Sequence, residues 1–392
     1  MFKLSVQIII AGMLTLPGLA AAAGPVKLPA TSQAACFDAN GDLRPCGGTG
    51  EDGEKQAGVA WPADRFQNNN NGTVTDKLTG LIWSQHANAP SQALGGLLPN
   101  GCQNAETSMT WLQALDFIAC LNASNHAGFN DWRLPNLNEL ESMVNPGVAD
   151  TSEYLNASGF GLTGLPASQV QPGRYWSATS DASGVASQSA IFAWDVDLVT
   201  GDFPAGALKN DPDSVLENLD VLKGSMRAVW PVRGQTSTPA QLWRTGQTLC
   251  YDEVGDIRPC AGTGEDGEKQ AGAAWPAPRF KTNFAATYAI DRLTHLIWPT
   301  ATQTPGPAAC ADTGYALTWQ EALDQVACLN ANNYLGHSDW RLPNRKELHS
   351  LTDFSTGAPA LPAGHPFDDL SGCAVPCGWE AASRCAPDSC WR

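Results

Sequence analysis

Apolar positions at Trp111, Leu115, Ile118 and Leu121 recur at helical spacing, and Thr110-Trp111-Leu112-Gln113 at their head has the form of a capping box. Thr318-Trp319-Gln320-Glu321 has the same form. A second helix is predicted after each of two asparagines. Asn136 stands three residues before Glu139, and Asn344 three before Glu347; Leu140, Met143 and Val144 give the first of these helices an apolar face. Further on the period changes to two. Phe192, Trp194, Val196 and Leu198 alternate with Ala193, Asp195 and Asp197, the pattern of a half-buried strand. Thr200-Gly201-Asp202 turns the chain, and Ala228, Trp230 and Val232 alternate with Val229 and Arg233 in a closing strand. Asn40-Gly41 reads as a type I′ hairpin turn, with Val254-Gly255 in the same place later, and Asn71-Gly72 before Thr73-Val74-Thr75 reads as another hairpin. Helices and strands thus mix along the chain as in an α+β fold.

The pattern repeats at an offset of about 210 residues. The eleven residues Gly48 to Gly58 recur unchanged as Gly262 to Gly272. Arg65-Phe66 recurs as Arg279-Phe280, Leu81-Ile82-Trp83 as Leu296-Ile297-Trp298, and the hexapeptide Asp131 to Asn136 as Asp339 to Asn344. Order is preserved throughout, so the chain is a duplication. The expected organisation is a signal peptide over 1–23, a linker over 24–35, copy one over 36–234, a linker over 235–249, copy two over 250–372 and a tail over 373–392. Copy two reads as incomplete. Copy one runs 98 residues from Asn136 to Gly234, whereas only 48 separate Asn344 from Arg392. Nothing there reads as a counterpart of Tyr175-Trp176-Ser177 or of Arg227 to Trp230, and Cys373, Cys377, Cys385 and Cys390 fall in a stretch without periodicity. A frameshift or a truncated gene would leave such a tail. Leu296, Trp298 and Trp340 should then lack cover, and proteolysis should cut between Asn344 and Arg392 before it damages residues 36–234.

Composition narrows the setting. Lys3, an apolar run from Leu4 to Leu16 and Ala20 to Ala23 have the layout of a secretory signal peptide, which implies a secreted, periplasmic or cell-surface protein with no membrane span once cleaved. The formal net charge of −16 becomes −17 without Lys3. That balance opposes nucleic acid, anionic membranes and acidic polysaccharides as partners, and it permits a hard cation. In an exported chain, twelve cysteines point to disulfides. Cys36 and Cys46 are ten apart, as are Cys250 and Cys260; Cys102 and Cys120 are eighteen apart, as are Cys310 and Cys328. These four pairs are the expected bridges. The remaining four cysteines have a spacing unlike a usual zinc site.

As an ordered set, several motifs carry a resemblance. Gly72-Thr73-Val74-Thr75-Asp76 with Leu78 to Trp83, Asp131 to Asn136 with Glu139-Leu140, Tyr175-Trp176-Ser177, and Val229 to Gly234 are similar to the Lcl C-terminal domain family, named after a bacterial collagen-like adhesin. The resemblance covers copy one and about the first two thirds of copy two. It implies C-type-lectin-like domains, related to the formylglycine-generating group, in two tandem copies, the second without its C-terminal strands. It also implies an extracellular or periplasmic role, often in surface attachment. The chain differs from the adhesin in having no collagen-like Gly-x-y segment, and its acidity disfavours sulfated glycans.

Candidate chemistry sits in two repeated segments. Because lectin-like folds bind through polar loop residues, Asp131, Arg133 and Asn136, with Asp339, Arg341 and Asn344, are candidate ligand contacts. Glu51, Asp52 and Glu54, with Glu265, Asp266 and Glu268, are clustered oxygen donors of the kind calcium takes, against the plainer reading of a solvated acidic loop. The Gly48-x-Gly50-x-x-Gly53 string imitates a dinucleotide loop, but it follows a hairpin, and Glu51 and Asp52 would repel a pyrophosphate. None of the six histidines has a His counterpart in the other copy, and no Ser or Cys has an elbow-type setting. The residues therefore favour a non-enzymatic binding or attachment module for an extracellular glycan or protein. An exported enzyme related to the formylglycine-generating fold and a structural envelope protein are the alternatives. Peptide mapping of the oxidised protein should return Cys36–Cys46, Cys102–Cys120, Cys250–Cys260 and Cys310–Cys328, each restricting the unfolded chain by roughly 3 kcal/mol; Cys36 joined to any other partner would contradict the assignment.

Overall fold

The computed structural model describes residues 25–86, 102, 108–162, 173–182, 191–201, 205–209, 226–252, 255–301, 306–310, 317–357 and 360–368. The expected signal peptide and the four cysteines of the tail lie outside them. In copy one, β1 (Cys36–Phe37) and β2 (Leu43–Arg44) form a hairpin, and α1 (Asp52–Lys55) is a single turn. β3 (Phe66–Asn68), β4 (Thr73–Asp76) and β5 (Ile82–Ser84) form an antiparallel meander. Next come α2 (Trp111–Ala123), α3 (Leu137–Met143) and α4 (Thr151–Ala157). A second antiparallel sheet, β6 (Arg174–Ser180), β7 (Phe192–Asp197) and β8 (Ala205–Leu208), follows, and β9 (Val232–Arg233) returns to pair with β5.

Copy two repeats this order as β10 (Cys250–Tyr251), β11 (Ile257–Arg258), α5 (Asp266–Lys269), β12 (Phe280–Thr282), β13 (Tyr288–Asp291), β14 (Ile297–Pro299), α6 (Trp319–Ala331) and α7 (Arg345–Ser350). The likeness continues past α7. Phe280 meets Phe367 edge-on at 5.4 Å, as Phe66 meets Phe160 at 5.1 Å. Ala301 bridges Asp368 in parallel, as His86 bridges Gly161. All four expected cysteine pairs lie at bonding distance, with Cα separations of 5.2, 5.6, 5.2 and 5.8 Å along the chain.

Local chemistry accounts for the helix starts. Thr110, Asn136, Thr318 and Asn344 each close a full capping box. Two strand-level expectations change. The Asn40-Gly41 turn is not type I′, which needs positive φ at both residues; only Gly41 has it, at 84°. The Asp38 carboxylate shapes the loop instead, accepting from the backbone N–H groups of Asn40 and Asp42. Nor is β7 half-buried. Asp195 faces away from the apolar row yet is fully buried, because Arg174 and Arg227 close over it with ion pairs of 2.5 Å.

The segments expected to be linkers are core. Val26, Leu28 and Thr31 in the first, and Ala240, Leu242, Trp243, Thr245 and Gln247 in the second, are buried. Each segment crosses to the other copy. Val26 N–H donates to the Leu293 carbonyl of copy two, and Ala240 N–H donates to the Leu78 carbonyl of copy one. One hydrophobic cluster accordingly joins Val74, Trp83 and Leu140 to Trp243, Leu293 and Phe354. At its polar edge α3 meets α7. Arg345 donates twice to the Glu141 carboxylate at 3.0 Å, the Lys346 Nζ donates to the Glu141 carbonyl, and His349 Nε2 lies 2.9 Å from Asn138 Oδ1. In the repeat Asn138 corresponds to Lys346 and Glu141 to His349. The contacts 138–349 and 141–346 are therefore equivalent, as in a two-fold interface.

Because α7 is central, residues 344–354 do not belong with the part expected to be cut first; Lys346, Ser350, Leu351 and Phe354 are buried. Among the described residues copy two is less covered than copy one. Among them the copy-two meander has three strands where that of copy one has four. Trp319 is 49% exposed, whereas its counterpart Trp111 is completely buried, and Trp340 is half-buried where Trp132 is buried. Removing Glu141 would take away the buried carboxylate that Arg345 and the buried Lys346 both face. Glu141→Ala should therefore lower stability by on the order of 3–5 kcal/mol in urea unfolding followed by tryptophan fluorescence; a loss below about 1 kcal/mol would contradict this role.

Candidate functional site

The two repeated segments, one expected to bind a ligand and the other a cation, meet each other across the copies. Arg133 and Glu139 form a buried two-pronged ion pair, with Arg133 Nη2 2.6 Å from Glu139 Oε1. The same carboxylate accepts from the Asn136 N–H at 3.0 Å, and Asn136 Oδ1 accepts from the Glu139 N–H. The free amide N–H of Asn136 then donates to the Ala271 carbonyl of copy two at 3.0 Å. In mirror fashion Arg341 pairs with Glu347, and Asn344 donates to the Ala57 carbonyl of copy one at 3.0 Å. Asp131 is not part of this group; it pairs at the surface with Arg233, whose guanidinium lies 3.7 Å from the Phe129 ring centre. Asp339 is exposed, with His337 3.9 Å away.

The acidic residues point to separate partners rather than to one centre. Glu51 accepts from Arg44 Nε at 2.8 Å and from the Phe37 N–H at 3.0 Å, and Glu265 accepts likewise from Arg258 and Tyr251. Glu54 accepts from the N–H groups of Gly48 and Gly50 at 2.8 and 2.7 Å. Both glycines have positive φ, 79° and 78°, which turns their amides toward one anion. The loop that imitates a phosphate cradle is thus filled by its own glutamate, and those two amides hold Glu54 below the usual carboxylate range. Glu268 sits in the same way on Gly262 and Gly264. Gly53 serves a different need, since a Cβ there would come within 2.2 Å of the Ala35 carbonyl oxygen. Among the described residues, no three or more His, Cys, Asp or Glu side chains gather as metal ligands would.

A family model for the Lcl C-terminal domain matches residues 72–233 and again 287–392. The chain belongs to the Lcl C-terminal domain family. No curated protein and no solved structure matches it. The second Lcl match runs to Arg392, which corrects the expectation that the resemblance stops two thirds of the way through copy two. Both Lcl matches begin within or just before β4 and β13, so the repeated Gly-rich segments lie outside them.

The remaining acidic residue, the second of the three in each repeat, makes the two junctions unequal. Asp266 is buried between the copies and accepts from Thr245 and Thr179 at 2.6 and 2.8 Å. Thr179 belongs to β6, and its oxygen also accepts from the Leu137 N–H at the start of α3. Burial pushes the Asp266 carboxyl up to about 6. Its counterpart Asp52 accepts from Thr31, the equivalent of Thr245, and is half-buried, so burial raises it as well. Among the described residues no hydroxyl takes the place of Thr179 there. The Asp52 junction is therefore the open member of the pair.

Asn138, Glu141, Lys346 and His349 differ between the copies, so a reading built on shared positions does not point to them. The usable signal was complementarity: an acid in one copy and bases at nearby positions in the other.

A raised carboxyl means that the folded state holds its proton more tightly than the unfolded chain. The stability tied to Asp266 is thus present at low pH and lost as pH rises from about 4 to about 6. An amide oxygen can still accept from both threonines. Asp266→Asn should therefore be more stable than the unaltered chain at pH 7 by about 1–3 kcal/mol and equal to it near pH 4, with a smaller gain for Asp52→Asn. Urea unfolding at the two pH values checks this, and a loss of stability at pH 7 would contradict it.

Proposed function

We propose that the protein is an exported, non-enzymatic attachment module, C-type-lectin-like in fold, that binds an extracellular glycan or protein. The supporting observation is the fate of the repeated polar residues. Arg133, Asn136, Glu139 and their copy-two equivalents are each spent on a cap or an ion pair. So are Glu51, Glu54 and theirs. None of these shared groups is left as a free acid, base or nucleophile, which favours recognition by surface shape over turnover. The Lcl C-terminal domain assignment supports a surface-associated role. Four disulfides fit an oxidising compartment, and no helix among the described residues is long and apolar enough to cross a membrane.

Because the copies interlock, the whole chain is the object to test. Full-length protein applied to arrays of neutral and sulfated glycans and of extracellular-matrix proteins should bind saturably to neutral glycan or protein spots and leave the ligand unaltered. The charge of −16 disfavours the sulfated ones. His86→Ala should keep the dissociation constant within about twofold, since His86 has no counterpart in the repeat. Chemical conversion of a bound ligand that is lost in His86→Ala would favour the enzyme alternative instead.

A further inference from the structure

Strand β6 makes a set of contacts in copy one that the described residues of copy two do not repeat. Trp176 Nε1 donates to the Met109 carbonyl at 2.7 Å, and Trp111 Nε1 donates to the Ser177 carbonyl at 2.7 Å. Ala178 N–H donates to the Pro135 carbonyl at 2.7 Å. Thr179 reaches Asp266, and Ser180 N–H donates to Gln247 Oε1 at 3.0 Å. Copy two holds the counterpart of each acceptor or donor, at Leu317, Trp319, Pro343, Asp52 and Gln33. Among the described residues these positions form a less covered seat than their counterparts in copy one. Trp319 is 49% exposed, Asp52 and Gln33 are half-buried, and β14 pairs with β13 alone among the described residues, whereas β5 also pairs with β9.

We propose that this seat is filled by the chain's own C-terminal segment, with residues 379–383 taking, on copy two, the place that Trp176 to Ser180 hold on copy one. Trp379-Glu380-Ala381-Ala382-Ser383 keeps Trp, Ala and Ser in the spacing of Trp176-Ser177-Ala178-Thr179-Ser180. The family match extends over this stretch. The reach suffices as well. Copy one uses 15 residues from Gly161 to Trp176, and copy two has 11 from the equivalent Asp368 to Trp379, which span up to about 36 Å when extended. The one loss is the hydroxyl of Thr179, replaced by Ala382. Even when seated, the segment brings no hydroxyl to Asp52 at the place of Thr179.

A second copy of the chain could cover the same face, and hydroxyl-radical footprinting with mass spectrometry separates the two. In the unaltered full chain at low micromolar concentration, Trp319 should be oxidised as slowly as buried Trp111, within about threefold, and the rate should not change with protein concentration. In Trp379→Ala, or in a chain ended after Gly372, Trp319 should be oxidised at least five times faster while Trp111 stays protected. The proposal is overturned if Trp319 reacts freely in the unaltered chain, if it is protected only as concentration rises, or if its protection survives Trp379→Ala. The first comparison uses the unaltered chain, so a variant that fails to fold does not remove the test.

Discussion

Each helix that follows the repeated hexapeptide begins with an asparagine whose side chain has two duties. The oxygen of Asn136 caps α3, and its amide N–H reaches across to the Ala271 carbonyl of copy two; Asn344 caps α7 and reaches the Ala57 carbonyl of copy one. A buried carbonyl without a donor costs about 1–3 kcal/mol, so the buried Ala271 of copy two depends on Asn136 of copy one, and half-buried Ala57 receives the matching bond from Asn344. This reciprocal contact explains why the segments before each repeat are buried rather than loose, and why the core runs through both copies. It explains too why α3 and α7 meet with complementary charges. Burial lowers Lys346 to about 7 and His349 to about 4, and Glu141, against the opposing pull of burial, is held below its ordinary value by Arg345 and Lys346. The polar contact at the centre is costly to disrupt and specific to this pairing of copies.

Against that symmetry, one difference organises the rest. Copy one closes its junction with β6, which buries Asp266 and Trp111; at the equivalent junction Asp52 and Trp319 retain solvent. A duplicated protein whose halves shield each other can tolerate such divergence, because one hydrophobic cluster draws residues from both copies.

The capping boxes, the cysteine spacings and the α+β character were readable because each depends on a few residues close in sequence. Thr110 with Gln113, or Cys36 with Cys46, carries its own geometry. The burial of Asp195 was not readable, since Arg174 and Arg227 stand 21 and 32 residues away in sequence and turn a polar row into a second buried face. The roles of Glu51 and Glu54 were hidden for a related reason. A run of acidic residues looks like a cation site until the backbone amides of Phe37, Gly48 and Gly50 are seen to occupy it. Composition could not reveal that the hexapeptide of one copy completes the Gly-rich segment of the other. The repeat told which residues matter, but not that their partners lie half a chain away.

If the crossing contacts govern stability, the copies cannot unfold separately. Differential scanning calorimetry of the full-length oxidised protein tests this most directly. The account predicts one cooperative transition whose calorimetric and van't Hoff enthalpies agree, with the melting of both copies coincident. Two resolved transitions, with one copy melting while the other retains its structure, would contradict it.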